Sequence, residues 1–326
     1  MPEKNFFRQS EDRNLRSALS VSQTSCINGI FVLFIFIRHF CQYIDASMLP
    51  YFGGCAFLDK KLGQLIVVPF LFYSGYGVME QIKKRGETYI LAMPRRRILK
   101  TWLHFAMAVF LYLLLSMYLQ KDYNLNTILL AFTGWESLGN SNWYMFAILI
   151  MYICTYISFR LFNKQKALLS CIAFSVAYIL IVGYFKDGTW WYNTVICFPV
   201  GIIVSFYKDQ INEFLQNRTL SVLIVCLLIT FTGFHFRSHF ISYEIMSIFF
   251  VFVIILLCTH LKIENRLFLF LGKYSFEIYI LQRLPMIFFK QYLSGYTYMI
   301  VCLLLCIGLS LLFKKVEQIT DYIFKL

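Results

Sequence analysis

The feature that most constrains this chain is a succession of apolar segments, each close to the roughly 20 residues that a tilted helix needs to cross a bilayer. Short polar connections separate them. We therefore expect an all-α polytopic membrane protein in which residues 25–326 form a bundle of about ten transmembrane helices and residues 1–24 a cytoplasmic tail. The ten segments are 25–44, 62–82, 98–119, 143–162, 167–185, 190–207, 219–236, 241–260, 268–289 and 296–313.

The charged residues agree with this interpretation. Only 14% of the 326 residues are charged, against roughly 25% in soluble domains. The net charge of +13 would suit a nucleic-acid partner, but the charges lie between the apolar segments, so we expect none. With the N-terminus inside, the inner segments hold 22 Lys and Arg and the outer ones 6. This bias predicts that both termini are cytoplasmic.

The first apolar segment carries four polar side chains, namely Asn28, Arg38, His39 and Gln42. A helix brings Asn28 and His39 nearly onto one face, about 16 Å apart along its axis, with Gln42 close to that face. Such groups are costly against lipid and should face a cavity or a partner helix. His39 is therefore either a structural histidine or a general base, because a neutral imidazole can take a hydroxyl proton near pH 7.

A second group of candidates lies in the basic run that begins at Pro94. Arg97, Lys100 and His104 fall on one face of a helix at positions i, i+3 and i+7. Basic residues at an inner boundary are ordinary topology determinants. Residues 82–100 hold seven of them, however, which is more than topology needs. We therefore weigh a phosphate site formed by Arg96, Arg97 and Lys100 against the topological explanation.

A third group lies in the ninth apolar segment, where Ser275, Tyr279 and Gln282 share a helix face. Lys273 and Glu277 are four residues apart, so a simple ion pair at the membrane edge accounts for them.

Three further features have structural interpretations. Gly75 and Gly77 favour close helix packing. Residues 126–135 are apolar but too short to span, which predicts a re-entrant or interfacial segment. The ten cysteines show no metal spacing, so we expect no metal site; nearly all should be buried and reduced, although Cys41 and Cys55 lie near the predicted outer face and could form a disulfide.

Together these segments resemble the acyltransferase-3 family of bacterial membrane O-acyltransferases, and the match runs in order along almost the whole chain. In the first segment Gly29 and His39 match the family's opening motif, while Asn28 stands where a basic residue is usual. In the ninth segment Gln282 replaces a His. The other matching stretches are Phe70–Gly77, Arg97–Lys100, Asn142–Tyr152 led by Trp143, Phe198–Gly201 and Lys273–Gln282.

The resemblance implies transfer of an acyl group, usually acetyl, from cytosolic acetyl-CoA to a hydroxyl of a cell-surface glycan or lipid-linked sugar, in the bacterial inner membrane. His39 and Asn28 would then be catalytic, and Arg96, Arg97 and Lys100 would bind the coenzyme A phosphates. Gln42, Trp143, Ser275, Tyr279 and Gln282 would line the substrate cavity. The replacements at Asn28 and Gln282 could redirect or weaken the activity.

Two other classes of protein remain as alternatives. A transporter or flippase of a sugar or lipid intermediate also fits many spans and a polar-lined helix, although no two-fold internal repeat is visible. A polysaccharide polymerase or ligase should carry a large basic outer loop, whereas the longest outer connection, 120–142, holds only Lys121. The transporter is therefore the alternative to test.

Overall fold

The computed structural model describes residues 15–44 and 57–326. Within these ranges the chain is built of helices without a strand, which confirms the all-α class. The α-helices are α1 Leu15–Ala18, α2 Val21–Phe40, α3 Val68–Arg85, α4 Glu87–Met93, α5 Lys100–Tyr118, α6 Leu125–Ala131, α7 Trp143–Leu161, α8 Lys164–Phe185, α9 Cys197–Phe206, α10 Lys208–Leu215, α11 Thr219–His235, α12 Phe240–His260, α13 Arg266–Lys273, α14 Ser275–Leu281, α15 Arg283–Phe289 and α16 Gly295–Phe324. Leu58–Leu62 and Pro94–Leu99 are π-helical, and Gly63–Val67 and Thr189–Trp191 are 3₁₀ turns.

Seven helical stretches of the described chain are long and apolar enough to cross a membrane, and the pair α10 and α11, bent by 103°, makes an eighth if it is one span. The protein is therefore a polytopic membrane protein, but the expected count of about ten is not confirmed. The seven are Val21–Phe40, Gly63–Arg85, Glu87–Tyr118, Trp143–Leu161, Lys164–Phe185, Phe240–His260 and Gly295–Phe324.

Two of the expected spans are interrupted. In 190–207 the chain turns before α9, with Thr194 at φ 76°, so that the helix has only ten residues. Segment 268–289 consists of α13, α14 and α15, none longer than eight residues. Pro285 lies one turn beyond the break at Gln282 and has no N–H to donate to the carbonyl oxygen of Leu281, which removes one bond of a continuous helix. The Gln282 side chain donates to the carbonyl oxygen of Tyr279 at 3.1 Å at the same place. Local backbone geometry thus interrupts segments whose composition alone suits a span.

The connection between α5 and α7 contains the seven-residue helix α6. Asn124 caps it, because its Oδ1 accepts from the backbone N–H of Thr127 at 2.7 Å. At 1.5 Å per residue this helix is about 10 Å long, too short to cross a bilayer. The short apolar segment is therefore not a span, as the sequence predicts.

The described residues separate into two compact units. Unit 1 comprises residues 15–31, 64–87 and 163–272, and unit 2 comprises 32–44, 57–63, 88–162 and 273–326. Helix α2 begins in unit 1 and ends in unit 2, so that Asn28 belongs to the first and His39 to the second. Each unit combines segments that are distant in sequence.

Glycines permit two close backbone contacts in unit 1. A Cβ at Gly75 of α3 would overlap the carbonyl oxygen of Phe198 in α9, and a Cβ at Gly201 would overlap that of Phe72. Helices α3 and α9 therefore meet backbone to backbone, as small residues allow in membrane proteins. Gly77 has no neighbouring atom within 4 Å of its Cβ position, so only the first of the two predicted glycines is used in this way.

A second contact of the same kind joins α2 and α13. A Cβ at Gly29 would overlap the carbonyl oxygen of Phe268, and a Cβ at Gly272 that of Ser25. Gly29 is thus required for packing, which gives a structural reason for the glycine of the first motif.

Eight cysteines in the described ranges are free, and most of them are buried. Cys41 is disulfide-bonded. Cys55, the partner considered from the sequence, lies outside the described residues.

We expect Gly75→Ala to destabilise the protein, because its methyl group meets backbone that cannot move aside; overpacking of this kind costs about 1–3 kcal/mol. Gly77→Ala is the matched control, since the same methyl group there enters open space. Thermal denaturation of both purified variants in detergent measures the difference. Equal melting temperatures for the two variants would contradict the close contact between α3 and α9.

Candidate active site

His39 lies in the last turn of α2 and is buried in unit 2, with 7% of its surface exposed. Its Nδ1 is 3.4 Å from the Ser141 hydroxyl oxygen. The ring centroids of His39 and Tyr279 are 6.3 Å apart. Gln282 and Arg283 are close enough to interact with the imidazole. The ring therefore faces polar protein groups.

Tyr279 and Gln282 come from α14 and the break that follows it. Both are buried, and Gln282 has no exposed surface. The Tyr279 hydroxyl and the Gln282 Oε1 lack a hydrogen-bond partner of good geometry, with Ser141 near the first and the His39 ring near the second. Buried polar atoms are usually paired, so these two are available to a bound molecule or to water. The break in segment 268–289 thus places two unsatisfied groups beside His39.

Helix α7 contributes aromatic rings to the same region. The Tyr144 ring lies 5.4 Å from that of Tyr279, and the buried Trp143 ring lies 6.0 Å from that of Tyr144. Ser141 immediately precedes this helix. Trp143 therefore contacts Tyr144, which in turn contacts Tyr279.

Gln42 follows His39 by three residues and accepts a hydrogen bond through its Oε1 from Arg283 at 2.8 Å. The Arg283 Nε is buried without a partner, and its guanidinium lies 5.9 Å from the centroid of the Tyr43 ring. Sequence reasoning overlooked Arg283 and Ser141 as site residues. The signals were an arginine inside an apolar segment and a serine just before Trp143.

A polar cavity of about 420 Å³ opens beside this region. Its lining includes tyrosine, glutamine, lysine and serine residues, whose polar groups suit a ligand with several hydroxyl groups. The residues that line it are Gln42, Tyr43, Ile44, Lys290, Gln291, Tyr292, Leu293, Ser294 and Tyr298.

The basic run forms the π-helical segment Pro94–Leu99 and the start of α5. One Arg97 nitrogen donates to the Tyr152 hydroxyl at 2.7 Å, and the guanidinium lies 4.6 Å from that ring's centroid. Arg97 Nε is buried without a partner, whereas Arg96 is exposed. Lys100 instead pairs with Asp321 at 2.6 Å. Arg97 therefore contacts α7 while Lys100 contacts α16, although a regular helix would place the two residues on one face.

Helix α7 borders both regions. Tyr144 contacts Tyr279 beside His39, and Tyr152 contacts Arg97. Eight residues separate the two tyrosines, which corresponds to about 12 Å along a helix. The region around His39 and the basic segment therefore both adjoin helix α7, at positions about 12 Å apart along it, within unit 2.

The family model for the acyltransferase domain of the acyltransferase-3 family matches residues 26–315 of this chain. The protein belongs to this acyltransferase family. No curated protein and no solved structure matches it. The family supports a membrane acyltransferase in general.

The remaining predicted residues of the acyltransferase lie as follows. Ser275 is the first residue of α14 and is half-buried. Asn28 has a buried Oδ1 without a partner and belongs to unit 1. Across the described ranges, no group of three or more His, Cys, Asp or Glu side chains is arranged to hold a metal ion.

An ionic network in the acyltransferase connects α14, α5 and α16. Lys314 binds Glu277 at 2.6 Å and Glu317 at 2.9 Å. His104 lies between Glu317 at 3.4 Å and Asp321 at 3.0 Å. Glu277, which sequence reasoning paired with Lys273, therefore pairs with a lysine of the last helix.

Sequence reasoning missed this network because it ended the last span at residue 313. Helix α16 continues to Phe324 and carries Lys314, Glu317 and Asp321 on one face at i, i+3 and i+7. That spacing was the available signal. The network fixes α14, and hence Tyr279, against the last helix.

We expect Lys314→Met to destabilise the acyltransferase by about 3–5 kcal/mol, because it leaves Glu277 and Glu317 buried without their shared cation. Lys315→Met is the matched control, since Lys315 is exposed and the charge change is the same. Chemical denaturation of the purified variants compares their free energies of unfolding. If both variants unfold alike, Lys314 does not stabilise the carboxylates.

Proposed function

We propose that this protein transfers an acyl group, typically acetyl, from cytosolic acetyl-CoA to a hydroxyl of a cell-surface glycan or lipid-linked sugar. It would act in the bacterial inner membrane with both termini in the cytoplasm. The observation that carries the proposal is the burial of His39 beside the unsatisfied polar atoms of Tyr279 and Gln282. Family membership supports the acyl transfer.

In this mechanism His39 is the general base. If its Nδ1–H donates to the Ser141 hydroxyl, Nε2 is the basic nitrogen and accepts the proton of the acceptor hydroxyl. The acceptor oxygen then attacks the thioester carbonyl, the carbon–sulfur bond breaks, and His39 returns the proton to the departing thiolate. No proton is gained or lost in the cycle.

Tyr279 and Arg283 are the candidate donors to the developing oxyanion. Each has a buried polar atom without a partner, the Tyr279 hydroxyl and the Arg283 Nε. Donors fixed in advance stabilise a transition state without reorganisation. Gln282, where the family pattern has a His, would orient the imidazole.

The polar cavity lined by Gln42 and Tyr43 is the proposed entrance for the acceptor. Gln42 lies one helical turn beyond His39, and its backbone N–H donates to the His39 carbonyl at 3.1 Å. Hydroxyls, amides and aromatic rings are the groups that bind sugars through hydrogen bonds and ring faces. The cavity therefore suits a carbohydrate hydroxyl approaching the histidine.

Arg97 and Arg96 are the proposed ligands of the coenzyme A phosphates, with Lys100 beside them. Arg97 has an unused buried Nε and a guanidinium held in place by Tyr152, which suits a planar contact with phosphate. The thioester would reach His39 along α7.

We expect His39→Ala to abolish acetylation of the surface glycan without changing protein level or glycan export. Mass spectrometry of surface polysaccharide measures this. His260→Ala is the control, since His260 is exposed at the end of α12. Loss of glycan from the surface, with acetylation per chain unchanged, would instead favour the transporter.

We expect the double variant Arg97→Ala with Lys100→Ala to bind coenzyme A at least about tenfold more weakly, since two charge-assisted contacts are lost. Isothermal titration of purified protein with coenzyme A measures the affinity. Unchanged affinity would remove the phosphate-site assignment while leaving the role of His39 open to its own test.

A further inference from the structure

The basic segment that carries the proposed phosphate ligands is in contact with the end of α16. Asp321 Oδ2 lies 2.6 Å from Lys100 Nζ, and Oδ1 lies 3.0 Å from His104 Nε2. Arg95 also donates to the carbonyl oxygen of Phe324 at 2.8 Å. A carboxylate from the last helix therefore already holds the lysine that the sequence assigns to phosphate.

The two ends of the ionic network differ in accessibility. Glu277 and Glu317 side chains are 1% exposed and share Lys314. Asp321 is 20% exposed, and Lys100 is 36% exposed. The Lys100–Asp321 pair therefore lies at the protein surface, while the inner carboxylates are enclosed with their partner.

We propose that Asp321 is a specificity-determining residue of the donor site: its carboxylate neutralises Lys100 until a phosphate group of the acyl donor replaces it. This inference rests on the proposed function. A phosphate carries more charge than a carboxylate and three acceptor oxygens, so it competes well for an ammonium group. The two anions repel each other at close range, so Lys100 binds one or the other.

Replacement of the Asp321 carboxylate by phosphate would favour acyl donors that carry a phosphate group over those that do not. Binding must break an existing ion pair, which only an anionic group at that position offsets. An acyl thioester that lacks phosphate leaves Lys100 on Asp321. His104 retains Glu317 as a neighbour at 3.4 Å after Asp321 moves, so the network remains partly paired.

The test measures coenzyme A affinity of the purified full-length protein by isothermal titration. We expect Asp321→Asn to bind coenzyme A about two- to fivefold more tightly, the range that a partly exposed ion pair contributes. Glu213→Gln removes the same charge from an exposed position of α10 and should leave the affinity unchanged. In a Lys100→Ala background the gain from Asp321→Asn should disappear.

Each outcome separates this inference from the proposed function. Unchanged or weaker binding by Asp321→Asn overturns the inference and leaves the His39 reaction standing. A gain that persists without Lys100, or that Glu213→Gln reproduces, also overturns it, because a general charge effect then explains the result. If the wild-type protein does not bind coenzyme A, the donor assignment fails and this inference fails with it.

A structure of the wild-type protein with coenzyme A decides the question if Asp321→Asn does not fold. We expect Lys100 Nζ on a phosphate oxygen and more than about 4 Å from Asp321, beyond ion-pair distance. A Lys100–Asp321 pair that stays intact in that complex overturns the proposal.

Discussion

The high cost of an unpaired polar group in an apolar environment governs unit 2. Six of its titratable side chains are joined into a chain of contacts, from Glu277 through Lys314, Glu317 and His104 to Asp321 and Lys100. This network holds the short helix α14 against α16 and α5. Because α14 also carries Tyr279, the same contacts that neutralise the charges position the groups beside His39.

Several of the buried polar atoms that lack a partner lie together beside His39. Tyr279, Gln282 and Arg283 each leave one buried atom unsatisfied, and all three come from the interrupted segment 268–289. A continuous helix would have paired all its interior backbone N–H and C=O groups within the segment. The short helices place these side chains beside His39 in a region enclosed by protein, where membrane proteins tolerate interrupted helices.

Helix α7 contacts the proposed acceptor region and the proposed donor region at two different positions along its length. Tyr152 fixes Arg97 at one level, and Tyr144 contacts Tyr279 at the other. In the proposed mechanism the acyl donor enters beside Arg97 and the acceptor enters through the polar cavity beside Gln42. A single rigid helix would then keep the two approaches in register.

Sequence alone determined the class of this protein, because the length and composition of its apolar segments leave few alternatives to a helical membrane protein. It also pointed to His39, Tyr279 and Gln282, since helix periodicity shows which polar residues share a face. It could not determine the number of spans or the partners of charged residues: segment 268–289 divides into three short helices, and Glu277 pairs with Lys314 rather than with Lys273, four residues away in sequence. Those outcomes depend on contacts between residues far apart in the chain, such as Lys100 and Asp321, and only the tertiary structure brings such residues together.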